Sequence, residues 1–197
     1  MTVARLNLPH MTPEEYIAWE VQQEERHEYM DGVILAMSGG SLDHNRIVVN
    51  IVVETSTRLD GTPCSSLTST QRVQSEQGSS YFYPDVVIFC GSPHLGLADT
   101  LQNATAIFEV LSPSTERHDR TKKLRSYQTI ETLQEYFLVS QDMVLVEAFR
   151  RRESGEWTIT HYVGRKTSLP LESVGISIPL SALYDNVQTI EESEEEA

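Results

Sequence analysis

Two apolar runs dominate the middle of this chain, Pro84 to Cys90 (PDVVIFC) and Ala104 to Leu111 (ATAIFEVL), and each carries a single acid, Asp85 and Glu109. Runs this short and this apolar are what strands covered on both faces look like, because alternation disappears when neither face meets water. A sheet lying between other layers follows. The acids are then the anomaly, since a buried carboxylate is costly unless it is paired or holds a metal. Asp85 opens the first run and Glu109 lies near the end of the second. If the two strands pair antiparallel, both carboxylates converge at one sheet edge. A shared proton, a cation or a divalent metal would relieve their repulsion there. Plain salt bridges to Arg or Lys would satisfy the same pattern.

The remaining elements are read from local signals. Thr12 ahead of Pro13-Glu14-Glu15 offers a capping hydroxyl, proline at the first helical position and acids in the first turn, which predicts a helix over 13–23. Asp31-Gly32 between apolar residues predicts a hairpin over 29–37. Ile47, Val48, Ile51 and Val52 recur at helical spacing within 42–59, although their β-branching keeps a strand open as an alternative. Strands are expected at 66–75, 135–139, 144–150 and 157–162, a loop at 91–103, and a helix at 116–130 with Ser114 or Thr115 as its cap. No repeat or second boundary interrupts this order. The expectation is one α+β domain over 1–190, a mixed sheet flanked by helices, with residues 191–197 a disordered acidic tail.

Charge narrows the functional classes. The 197 residues carry a net charge of -14, which excludes DNA or anionic-lipid binding by bulk electrostatics. The excess is concentrated: residues 1–35 hold two basic and seven acidic side chains, and the five glutamates after Ile190 hold much of the rest. Two basic islands stand against it, Arg117 to Arg125 and Arg150 to Lys166. No apolar run is long enough for a membrane helix and no leader pattern opens the chain, so a soluble, cytoplasmic protein is expected. Cys64 and Cys90 lack any CxxC or zinc-finger spacing and read as reduced thiols, with Cys90 in the core. The histidines share no triad spacing and there is no glycine-rich phosphate loop, which disfavours serine-type hydrolases.

The helix that follows Glu109 supplies the cation. Asp119, Lys123 and Tyr127 fall at i, i+4 and i+8, hence on one face, and Lys123 can reach the carboxylate pair. Two acids, a divalent ion and an ammonium are what phosphodiester hydrolysis requires. A simple helical pair between Lys123 and Asp119 is the structural alternative.

The segments Pro13-Glu14-Glu15-Tyr16, His27 to Gly32, His44-Asn45, Tyr83-Pro84-Asp85-Val86, Phe108 to Ser114, and Asp119 with Lys123 and Tyr127 occur in an order and spacing that resembles the Uma-two family of restriction-endonuclease-like proteins. The resemblance runs from about residue 10 to 185. It implies the PD-(D/E)xK nuclease superfamily, with a mixed sheet flanked by helices, Mg²⁺ or Mn²⁺ as cofactor and DNA as substrate. Carried over by position, Asp85 and Glu109 are metal ligands, with the Val110 carbonyl a third. The usual lysine two residues after the glutamate is Leu111 here, so the resemblance assigns that role to Lys123 from the following helix, rather than to Lys122. Glu28 matches an acid that contacts the metal or its water, though an ordinary solvated acid in the run 24–28 is equally compatible. Arg117, Arg120, Lys122 and Arg125 would meet the DNA backbone, and His44 would touch phosphate or cap its helix. Gln71 is a weaker cleft candidate. A homodimer would serve two strands.

Two functions therefore stand at this level. One is a Mg²⁺-dependent endonuclease. The other is a non-catalytic interaction protein that keeps the fold and uses the acids and Lys123 as a structural salt-bridge network.

Overall fold

The computed structural model describes residues 5–37, 39–75 and 80–190; the acidic tail expected at 191–197 lies outside them. Helix α1 (Pro13–Glu20) opens with a complete capping box, in which Thr12 Oγ1 accepts from Glu15 N at 3.2 Å and Glu15 Oε2 accepts from Thr12 N at 2.7 Å. It stops three residues before the expected end. Glu20 turns inward, accepting from the backbone N–H of His27 at 2.9 Å and from the Tyr83 hydroxyl at 3.0 Å. Strands β1 (His27–Met30) and β2 (Val33–Ala36) form the expected hairpin. Its two turn residues, Asp31 and Gly32, both have positive φ (48° and 82°), as this tight turn demands. A Cβ on Gly32 would also fall 1.8 Å from the His10 ring.

Helix α2 (Leu42–Leu59) is capped by Ser41 and buries Ile47, Ile51, Thr55 and Leu59, one stripe at four-residue intervals. The strand expected at 66–75 divides into β3 (Cys64–Thr68) and β4 (Val73–Gln74), which join different sheets. Next come β5 (Ser80–Phe82), β6 (Val86–Cys90), β7 (Ala104–Val110), α3 (Glu116–His118), a π-helical turn (Asp119–Lys123), α4 (Leu124–Tyr127), β8 (Glu135–Val139), β9 (Leu145–Arg151) and β10 (Trp157–Val163). A C-terminal hairpin of β11 (Ser168–Leu171) and β12 (Ile176–Pro179), followed by α5 (Leu180–Leu183), completes the described chain.

Six strands form the main sheet in the order β10-β9-β8-β7-β6-β3, antiparallel except for the parallel pair β7·β8. One face, with Val86, Ile88, Phe108, Val110 and Phe137, packs under α2, α5 and the C-terminal hairpin. The opposite face, with Val87, Ile107, Leu111, Tyr136 and Leu138, packs under Tyr127, Ile130 and Leu133. Both faces of β6 and β7 are therefore covered, which explains their continuous apolar sequences. Glu109 alternates with Ile107 and Leu111, so it points to the second face. A smaller sheet, β2-β1-β5-β4, lies between α1 on one side and the α3–α4 segment on the other, with Tyr16, Tyr29, Ile34 and Tyr81 filling the α1 side.

Three arginines of the second basic island, Arg150, Arg151 and Arg165, are architectural. Arg150 is buried against Glu135 at 2.9 Å and reaches the Pro170 carbonyl and the Tyr162 hydroxyl, tying the C-terminal hairpin to the sheet. Arg151 donates to the carbonyls of Gln128, Ile130 and Leu133, and Arg165 to those of Tyr184 and Val187.

The cysteines correct the sequence expectation. The antiparallel register of β3 and β6 sets Cys64 directly across from Cys90, and the two are joined in a disulfide across the sheet edge rather than held as separate thiols; Cys90 is half-buried, not in the core. That register depends on pairing between residues 26 positions apart, which no local motif announces. Replacing both cysteines by serine should lower the unfolding free energy by about 3 kcal/mol in urea denaturation, the usual effect of releasing a loop of this length.

Candidate active site

The β6·β7 pair is antiparallel with Val86 opposite Phe108, so extending the register by one residue sets Asp85 across from Glu109. Both acids line one cleft of about 250 Å³, together with Glu28, His44, Val110, His118, Asp119 and Lys123. Four separate places in the chain supply its charges, and Asp85 stands immediately before β6. Glu28 comes from β1, where alternation with Met30 turns it toward the α3–α4 segment and away from α1. Glu109 comes from β7, and Asp119 and Lys123 from the π turn.

The expected alignment of Asp119, Lys123 and Tyr127 depends on that π turn. Two α-helical turns take about 7.2 residues, so a residue at i+8 overshoots the face; one wider turn absorbs the surplus. Short π insertions recur at functional sites for this kind of reason. All three side chains are buried. The Lys123 ammonium lies 2.7 Å from Glu28 Oε1, 3.1 Å from Glu109 Oε1 and 3.5 Å from Asp119 Oδ1. Tyr127 donates its hydroxyl to the same Glu109 Oε1 at 3.1 Å. Asp85 stands slightly apart: Oδ2 accepts from the backbone N–H of Val110 at 2.7 Å, and Oδ1 lies 3.2 Å from His44 Nε2.

One ammonium cannot balance this many buried carboxylates. Burial raises Glu109 well above the usual glutamate range, with the neighbouring acids adding to the effect and Lys123 opposing it. Glu28 and Asp119 are raised as well, again chiefly by burial. Burial works to lower Lys123, but Glu109, Glu28 and Asp119 outweigh it and push its pKa well above the ordinary value. The surrounding acids thus favour the charged, hydrogen-bond-donating form of Lys123. Burial also works to lower His44, yet the hydrogen bond and charge of Asp85 raise it. His118 moves the other way, to about 4, through burial and the charges of Lys123 and Lys122, so it is a neutral imidazole near pH 7.

The donor set suits a hard divalent cation. Asp85 and Glu109 present oxygens to the cleft, the bonds described for Glu109 fall on Oε1 alone, and the Val110 carbonyl borders the same space. Among the described residues no group of three His, Cys, Asp or Glu side chains forms a ready metal cage. Mg²⁺ does not require one, since it is ordinarily held by one or two carboxylates and completes its shell with water and substrate phosphate. Three buried polar atoms at this cleft, His44 Nδ1, His118 Nε2 and Asp119 Oδ1, make no hydrogen bond among the described residues, Asp119 Oδ1 having only its 3.5 Å ion pair with Lys123, which marks the site as polar and incompletely satisfied.

A family model described as "Putative restriction endonuclease" matches residues 13–181, a span that contains every residue of this cleft. The chain belongs to the Uma2 family. Two uncharacterized proteins of Synechocystis sp. are similar to this Uma2 chain: one is 36% identical over 176 residues, covering 89% of the chain and 92% of the relative, and the other 31% identical over 163 residues, covering 81% and 91%. The fold is shared with a crystal structure from Anabaena variabilis described as "a putative nuclease belonging to DUF820", at a TM-score of 0.72 and 16% identity over 88% of this chain and 97% of that one. No helix among the described residues is long and apolar enough to cross a membrane.

The sequence expectations for this Uma2 protein divide as follows. Asp85, Glu109, Val110, Glu28, His44 and Lys123 come together in the cleft. Arg117, Lys122 and Arg125 line a groove beside it. Arg120 does not: it is ion-paired with Glu116 and Glu147 and anchors α3 and the π turn to β9. Gln71 is also remote, its amide donating to the carbonyls of Arg72 and Asp99. Asp119 entered the sequence reading only as a helical partner of Lys123, and His118 carried no spacing signal; both line the cleft.

A folded-state carboxyl raised above its unfolded value binds its proton more tightly when folded. The stability it contributes is intact below about pH 4.5 and is lost as the pH rises through the higher folded-state value. Glu109→Gln keeps an acceptor for Lys123 and Tyr127 but cannot ionise. It should therefore raise stability at pH 8 and flatten the dependence of thermal unfolding on pH above 5.

Proposed function

We propose that this Uma2 protein is a metal-dependent endonuclease that hydrolyses DNA phosphodiester bonds. The observation that carries the reading is the meeting of Asp85 and Glu109 at one end of the β6·β7 pair beside the buried ammonium of Lys123. Asp85, Glu109 and the Val110 carbonyl would hold Mg²⁺ or Mn²⁺. Bound there, the ion would supply Lewis-acid neutralisation of the phosphoryl oxygens and a lowered pKa for the attacking water.

The chain's own residues account for the remaining requirements. The Val110 N–H fixes one Asp85 oxygen, which leaves the other directed into the cleft toward His44. Lys123 is placed to stabilise negative charge that builds on the phosphorane, and its high pKa keeps it a donor throughout the neutral range. Glu28 and Asp119 hold the ammonium in place from opposite elements. Tyr127 orients Glu109. Because Glu109 must lose its proton before it can bind a cation, activity should rise from mildly acidic toward alkaline pH.

The alternative, a non-catalytic interaction protein, draws on the same contacts of Lys123 with three acids. Titration separates the two. If the site holds Mg²⁺ or Mn²⁺, saturation at about 100 times Kd stabilises the protein by about 2.7 kcal/mol, and Asp85→Ala abolishes that shift; a purely structural network gives none. In cleavage assays on plasmid and linear DNA, Asp85→Ala and Glu109→Ala should be inactive. Lys123→Ala should lose roughly 10²- to 10³-fold, the scale for removing one transition-state donor. Wild-type turnover equal to that of all three variants would refute the catalytic reading.

A further inference from the structure

A second cleft, of about 700 Å³, opens directly beside the candidate active site and shares Ser114 and His118 with it. It lies between the β1–β2 hairpin and the α3–α4 segment. Its hairpin side is apolar: Met30 and Val33, opposite one another in register, and Leu35 share the face that carries Glu28. Its rim is cationic, with Arg117, Lys122 and Arg125 from the helical segment and Arg5, which forms an isolated β-bridge with Leu35. Asp31 is the single acid that lines it. Among the described residues none of these four cations is ion-paired with a carboxylate, whereas Arg120 on the other side of the same segment is paired with two. His118, where the clefts meet, is neutral near pH 7 and leaves its buried Nε2 without a hydrogen-bond partner.

This chemistry fits an unpaired strand better than a duplex. Duplex DNA keeps the apolar faces of its bases stacked inside and shows a protein mainly phosphate, sugar and base edges. An unpaired strand exposes base faces that an apolar floor can cover while its phosphates meet cations at the rim. The charge of the whole protein points the same way. The net charge is -14, and a ligand that contacts only the cationic groove avoids much of the repulsion that an extended polyanion would meet elsewhere.

We propose that this groove seats single-stranded DNA leading into the cleft, so that the substrate class is DNA with an unpaired segment adjoining the scissile phosphate. The proposal rests on the nuclease reading for its purpose but not for its test. Fluorescence anisotropy of the full-length protein in EDTA compares a labelled single-stranded deoxyoligonucleotide with its blunt duplex. The single strand should bind at least about tenfold more tightly. With four rim cations, the slope of log K against log salt should be no steeper than about -3. The double variant Arg117→Glu/Lys122→Glu and the floor variant Val33→Glu should each lose that preference, while Lys166→Glu, outside the groove, should keep it; thermal unfolding confirms that each is folded. Equal or tighter binding of duplex, or wild-type binding by folded Arg117→Glu/Lys122→Glu, would overturn the proposal. Cleavage is scored separately with Mg²⁺. A protein that binds single strands in this way yet cuts nothing argues against hydrolysis and supports the groove, and one that cuts duplex without this binding preference argues the reverse.

Discussion

The ammonium of Lys123 is the point on which the two sheets and the helical segment converge. Its three carboxylate neighbours come from β1, from β7 and from its own π turn. Removing Lys123 would leave three buried acids without their cation, a larger loss than an exposed pair would cause. The smaller sheet is therefore docked by electrostatics at its inner face as well as by apolar packing. The same arrangement stores an imbalance, since the acids outnumber the lysine. A second cation, or protons, must complete the neutralisation.

Burial of the α3–α4 segment explains why part of one basic island faces a groove while three arginines of the other are directed inward. Arg150, Arg151 and Arg165 are directed inward to carbonyls and to Glu135, where they close the ends of strands and turns. Arg117, Lys122 and Arg125 project from a segment whose inner face is already occupied by Asp119, Lys123 and Tyr127, so they are left at the rim of the groove. Counting charges along the chain cannot separate these cases. The separation arises from which face of an element meets a neighbour.

Much of this was legible before any coordinates. The apolar runs around Asp85 and Glu109 specify strands covered on both sides, and antiparallel pairing follows closely enough to bring the acids together. The Lys123 face was readable from spacing, although the π turn that makes it work was not, because one extra residue per turn leaves no mark in composition. The Asp-Gly hairpin and the helix from Leu42 to Leu59 were likewise set by local chemistry. What sequence did not reveal depends on long-range pairing. The division of 66–75 between two sheets, the C-terminal hairpin and the Cys64–Cys90 link all arise from register between distant segments. The ion pair of Arg120 with Glu147, 27 positions away on β9, is hidden from local spacing for the same reason.

The segment from Glu116 to Tyr127 has almost no idle side. Glu116 and Arg120 face β9; Asp119, Lys123 and Tyr127 face the buried acids; Arg117, Lys122 and Arg125 face the groove. Its register is consequently a shared variable. Deleting a single residue would rotate everything downstream by about 100° and would displace anchor, charge and rim together. Point substitutions can tune these three roles one at a time. Changes of length cannot, so this short helix should tolerate exchange of residues far better than insertion or loss of any.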